Sequence, residues 1–136
     1  SFKNIILSLH PSMDKQKYIK LCNNHDINII DESLVEIMPA CDLFIATNSS
    51  TIYWSILVGK KSIVMCFNGL DDTMHKDLKA TKITYDHASF SSEVKTIKNK
   101  KFSFENDWNL LSKKETFDSN IHLRYHNVIQ NLLNNN

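Results

Sequence analysis

Short apolar runs alternate with segments of helical period through the first half of this chain. Residues 4–10 (NIILSLH) form an apolar run that stops at Pro11, which predicts a buried strand. Residues 14–25 place Tyr18, Leu21 and Cys22 on one face among lysines, the pattern of an amphipathic helix. A second strand is expected at Ile27–Ile30. Residues 31–41 start with acidic residues suited to a helix N-terminus, and Pro39 should end that helix. Residues 43–47 (LFIAT) are apolar on both faces and predict a third strand. A helix over 50–58 with Gly59 as its cap follows, then a strand over 62–67 and a turn at Asn68-Gly69.

Strands without polar alternation, separated by helices, are the signature of a parallel sheet covered on both faces. The expectation is a single α/β domain over residues 1–136, a Rossmann-like, doubly wound parallel sheet. Beyond Gly69 the pattern predicts a helix over 71–80, a strand over 82–85 and a lysine-rich helix or solvated loop over 91–101. A C-terminal helix is expected over 120–133, with Ile121, Tyr125, Val128, Ile129, Leu132 and Leu133 at helical spacing.

Composition narrows the function classes. A net charge of +1 provides no strong field for nucleic acid or an anionic membrane, so no nucleic-acid partner is expected. No apolar run reaches the roughly 18 residues that span a bilayer. Three cysteines without paired spacing indicate free thiols in a reducing compartment, hence a cytoplasmic location, with the inner face of the membrane as the alternative. His122 and His126 stand four apart, but no HExxH pattern or carboxylate completes a metal site. No metal or cofactor is implied. GxGxxG, Walker and GxSxG sequences are also absent.

Ligands of open α/β sheets bind at the carboxyl ends of strands. The main candidate is the polar turn after the third strand: Asn48, Ser49, Ser50 and Thr51. It runs from an apolar strand into an apolar helix, where backbone N–H groups and hydroxyls suit a phosphate. An ordinary N-cap role for Ser49 or Ser50 is the competing reading. His10 ends the first strand, and Pro11 keeps it out of helical conformation, so its imidazole is free to donate to a phosphate or a base. Pro11, Asn48, Tyr53 and Asn68 are secondary binding candidates. Trp54 is expected to pack in the core. Asp71-Asp72 reads as a helix start. No acid–base pair identifies a catalytic residue.

The order strand, His-Pro, helix, strand, helix, Asp-Leu-Phe-Ile-Ala-Thr-Asn-Ser-Ser-Thr, helix, Gly-Lys, strand resembles the C-terminal, nucleotide-binding half of GT-B glycosyltransferases. It is similar to bacterial capsule and teichoic-acid transferases of the CDP-glycerol glycerophosphotransferase type. It also resembles bacterial sialyltransferases with their His-Pro and Ser-Ser motifs. The resemblance covers roughly residues 4–69, with a faint echo at 117–133. It implies that His10, Ser49 and Ser50, with Thr51 beside them, hold the phosphates of a nucleotide-activated sugar or polyol phosphate. It further implies a partner N-terminal α/β domain of the same protein, and so a fragment inactive by itself. The chain departs from the pattern at residues 52–55 (IYWS), which lack the carboxylate that many members use to hold the ribose. Two alternatives remain: a UDP-N-acetylglucosamine 2-epimerase-like fragment, and a non-catalytic binding domain of the same fold.

Overall fold

The computed structural model describes residues 4–47, 49–71 and 73–113. It is a mixed α/β chain of Rossmann-like type, with parallel strands flanked by helices. The chain divides into two compact units, residues 1–42 and 43–136. The expected C-terminal helix lies outside the described residues.

In the first unit, β1 (Ile5–Ser8) pairs in parallel with β2 (Ile27–Ile30), and Ile5 faces Ile27 in the register. The crossover between them is α1 (Lys15–Asn24). Asp14 caps α1 by accepting from the Gln16 N–H at 3.1 Å. Cys22 is the buried residue of α1, whereas Leu21, assigned by its spacing to the same face, is exposed. β1 also leaves Ile5 and Ile6 exposed. Ile5 and Ile6 are successive and point to opposite faces, so neither face of β1 is covered there, although its sequence reads as buried. After β2, the predicted helix is a single turn, α2 (Leu34–Ile37), continued by a 3-10 turn over Met38–Ala40 that holds Pro39. The Lys15 ammonium bonds both Asp31 carboxylate oxygens, at 2.7 and 2.6 Å, and ties the start of α1 to the end of β2.

The second unit is built on a three-stranded parallel sheet in the order β3 (Leu43–Ala46), β4 (Lys61–Met65), β5 (Thr81–Thr84). β4 is central. Its successive residues Ile63 and Val64 point to opposite faces, and both are fully buried, so both faces of β4 are covered. The main core packs Val64 and Cys66 of the β4 segment against Ile52, Tyr53 and Ile56 of α3 (Thr51–Leu57), with Leu111 of α5 (Glu105–Ser112). Ser62 lies on that same face and is hydrogen-bonded to Ser55 of α3, which also donates to the Ile52 carbonyl at 2.7 Å. The alternate face, that of Ile63, is left for α4 (His87–Ile97), which packs on β4 and β5.

The helix ends are set by local chemistry. α4 starts with a capping box: the Asp86 carboxylate accepts from the Ser89 N–H at 2.8 Å, and the Asp86 N–H reaches the Ser89 hydroxyl. The Ser89 N–H holds the Asp86 carboxyl below its ordinary range. α3 ends in a Schellman motif. Gly59 has φ of 72°, its N–H donates to the Ile56 carbonyl at 3.0 Å, and the Lys60 N–H donates to the Ser55 carbonyl at 2.8 Å. A Cβ at Gly59 meets no atom within 4 Å, so the cost of adding one is purely conformational. Gly59→Ala is therefore expected to destabilise by about 1 kcal/mol, read as a lower urea midpoint at unchanged slope.

Three expectations are corrected here. Residues 73–80 form turns rather than the predicted helix, because the Asp71 carboxylate captures the Thr73 N–H at 2.9 Å and the Thr73 hydroxyl at 2.8 Å. These bonds close an Asx turn, and the Thr73 N–H holds the Asp71 carboxyl below its ordinary range. Asp71 thus starts a turn and not a helix. Trp54 is 41% exposed, since the buried stripe of α3 is Ile52, Tyr53, Ser55 and Ile56. The lysine-rich segment, expected over 91–101 as a helix or solvated loop, is a helix over His87–Ile97, four residues earlier at each end.

Candidate functional site

β3 delivers the chain to the hydroxyl turn at its carboxyl end. Thr47 is exposed, Asn48 lies outside the described residues, and Ser49 is half-buried. The Ser49 hydroxyl accepts from the Thr51 N–H at 3.3 Å and is hydrogen-bonded to the Thr51 hydroxyl at 2.8 Å. The Ser49 carbonyl accepts from the Ile52 N–H at 3.2 Å, and the Ser50 carbonyl from the Tyr53 N–H at 3.0 Å. The first N–H groups of α3 are therefore already engaged by the turn itself.

This arrangement separates the two serines. Ser49 satisfies a helix N–H, which is a capping role. Ser50 occupies the formal cap position, but with helical backbone angles, φ −61° and ψ −17°, and with no side-chain cap bond. Of Ser49, Ser50 and Thr51, Ser50 is the exposed residue. The Ser49 and Thr51 hydroxyls bond each other, whereas the Ser50 side chain makes no cap bond.

A residue that sequence reasoning passed over supports the turn from beneath. His75 is fully buried, and its Nε2 lies 3.1 Å from the Ser49 carbonyl oxygen. A carbonyl only accepts, so Nε2 carries the proton. Tyr53 packs beside it, with ring centroids 5.5 Å apart, and the Tyr53 hydroxyl donates to the Met74 carbonyl at 2.7 Å. Tyr53 is thus held in the core, and its hydroxyl is directed at the backbone beside His75. The only sequence signal for His75 was a histidine in a segment of turn-forming residues, and its partner lies 26 positions away.

His10 lies in the first unit and is exposed. Pro11 follows it at the second position of a β-turn closed by the Met13 N–H donating to the His10 carbonyl at 2.8 Å. The Ser12 N–H donates to His10 Nδ1 at 3.2 Å, and the Ser12 hydroxyl lies 2.7 Å from the same nitrogen. A backbone N–H can only donate, so Nδ1 is the acceptor and the ring proton sits on Nε2. Nε2 is therefore the donor nitrogen of this imidazole.

Asn68 is exposed, with φ of 59°, and Gly69 follows at 76°. Two successive left-handed residues make a sharp reversal after β4, as the Asn-Gly pair predicts. Among the described residues no helix is long and apolar enough to cross a membrane. No known family signature, no characterised protein and no solved structure matches this chain.

Proposed function

We propose that this chain is the donor-nucleotide-binding part of a glycosyltransferase or glycerophosphotransferase of bacterial surface-polysaccharide synthesis. The observation that carries the reading is Ser50, an exposed residue whose side chain makes no cap bond, just beyond the carboxyl end of a parallel strand. That is where α/β sheets bind phosphates. In this reading the diphosphate of a nucleotide-activated sugar or polyol rests on the Ser49–Thr51 turn, and Ser50 donates to a phosphate oxygen. In the first unit, His10 offers its Nε2–H as a donor suited to the same class of ligand. Ser50 would stabilise charge on the departing phosphate. Activation of the acceptor falls to a base on a partner N-terminal α/β domain. The cytoplasm, where nucleotide-activated sugars are made, is the matching location.

A non-catalytic binding domain is the second reading. The sequence of α3, Thr51–Leu57, favours it because it offers no carboxylate to a ribose.

A thermal-shift panel of CMP, CDP, UDP and GDP tests the first reading. A nucleotide present at about 100 times its dissociation constant should stabilise the fold by about 2.7 kcal/mol. Ser50→Ala should weaken that binding by about 1–2 kcal/mol, the scale of a hydrogen bond to a charged group, and leave the unliganded melting point unchanged. Ser49→Ala should lower the melting point itself by removing the cap, at about 1 kcal/mol. Unchanged affinity in Ser50→Ala, or no response to any nucleotide, would reject the reading.

A further inference from the structure

The second unit carries a concavity of about 380 Å³ whose wall includes Lys79, Lys82, Lys100 and Lys101. Phe102 lines it, and Ser103 and Asn106 add neutral hydrogen-bonding groups at the start of α5. Three separate segments bring these residues together: the entry to β5, the loop after α4, and the first turn of α5.

The charge is poorly compensated. Lys100 pairs with Glu93 at 2.7 Å, and this is the one lining lysine with an ion pair among the described residues. Lys79, Lys82 and Lys101 have none there. Beside them, the Lys61 ammonium donates to the carbonyls of Ile97 and Lys98 at 3.1 and 3.0 Å, at the end of α4. Lys61 and Lys82 both approach the Phe102 ring, at 5.5 and 5.8 Å from its centroid. Ammonium groups held this close lie within about one Debye length of each other and repel. A bound anion removes that repulsion.

The wall has lysines and no arginine, so an anion here is held by point charges and not by a bidentate fork. Lysine point charges with hydroxyl and amide donors suit the tetrahedral oxygens of phosphate. The Phe102 ring is already engaged by two ammonium groups, so it is not offered as a stacking platform for a base. The location differs from that of the Ser49–Thr51 turn. In the register of the parallel sheet, Lys61 and Thr81 stand at the starts of their strands, whereas Ser49 follows the end of β3. Strands of this length separate the two ends by about 10 Å.

We propose that this concavity is a second anion site that binds successive phosphate groups of a soluble oligophosphate chain. The probe is inorganic tripolyphosphate, titrated calorimetrically into the whole chain. Binding should weaken at least about tenfold between 20 and 200 mM salt. The double variant Lys82→Glu, Lys101→Glu should bind at least about tenfold more weakly than the parent. Lys15→Ala, in the first unit, should bind as the parent does. Circular dichroism checks that the double variant is folded; if it is not, Lys79→Gln with Lys101→Gln serves, with a loss of about threefold or more expected. An affinity within twofold of the parent in the folded lysine variant overturns the proposal. So does binding that survives in the lysine variant and is lost in Ser50→Ala, which would put the phosphates at the strand-end turn. Binding to vesicles rich in phosphatidylglycerol without binding to tripolyphosphate also overturns it, in favour of a lipid surface.

Discussion

Asp107→Ala should cost the fold about 3 kcal/mol. Asp107 is 1% exposed, on the first turn of α5. Its two carboxylate oxygens accept separately from the Lys79 N–H and the Ala80 N–H, each at 2.7 Å. Ala80 is itself fully buried, and its carbonyl accepts from the Ser62 N–H of β4 at 3.2 Å. The carboxylate therefore pins the entry of β5 to α5 while the same residue is joined to β4. Alanine leaves two backbone donors without their acceptor, and each such loss costs about 1–3 kcal/mol when the group is buried. Asparagine keeps the shape but turns one acceptor into a donor that faces an N–H. Asp107→Asn should therefore still cost about 2 kcal/mol. Urea unfolding measures both, as a drop in midpoint at constant slope. A loss below about 0.5 kcal/mol for alanine would mean that water replaces the carboxylate at both N–H groups, as at an ordinary surface site.

Asp107 also marks the limit of what the sequence reveals. Strands β1 to β4 were legible because their apolar runs are continuous and bounded by Pro11, Pro39 and Gly59. Gly59 was legible as a cap because a left-handed residue is required there. α5 was not. Its sequence, Glu-Asn-Asp-Trp-Asn-Leu-Leu-Ser, opens with turn-forming residues, and Phe104 at its cap position makes no side-chain cap bond. What holds it is tertiary: Leu111 in the core, Asp107 on the β5 entry, and the Trp108 indole N–H donating to the Ile56 carbonyl of α3 at 2.9 Å. Tertiary contacts of this kind override weak local propensity. Residues 71–80 err in the other direction. Their spacing suits a helix, but the Asx turn at Asp71 and the burial of His75 under the Ser49 turn hold the chain in turns.

The candidate site was legible only in part. Residue type and position at a strand end were enough to select Ser49, Ser50 and Thr51. Nothing local could assign capping to Ser49 and exposure to Ser50, because that division depends on which backbone angles the turn adopts. Likewise, the proline after His10 indicated an extended approach, but the tautomer follows from the Ser12 N–H alone.

His75 should prove to be the residue that positions the Ser49–Thr51 turn. It is fully buried, donates from Nε2 to the Ser49 carbonyl, and packs against Tyr53. His75→Ala removes both the donor and the ring volume, and should destabilise by about 2–4 kcal/mol. His75→Phe keeps most of the volume and removes the hydrogen bond. The expected loss is smaller, about 1–2 kcal/mol, with the Ser49 peptide no longer held. Tyr53→Phe removes only the hydroxyl on the Met74 carbonyl and should cost about 1 kcal/mol. The informative comparison is between His75→Phe and Tyr53→Phe, which have similar stability costs. If His75 positions the turn, His75→Phe should weaken the proposed nucleotide binding severalfold, and Tyr53→Phe should not, because Ser49 keeps its donor in the tyrosine variant. Combining His75→Phe with Ser50→Ala should lose less binding energy than the sum of the two, since both act on one turn. Equal affinities in His75→Phe and the parent would reduce His75 to a core residue and leave the turn to hold its own shape.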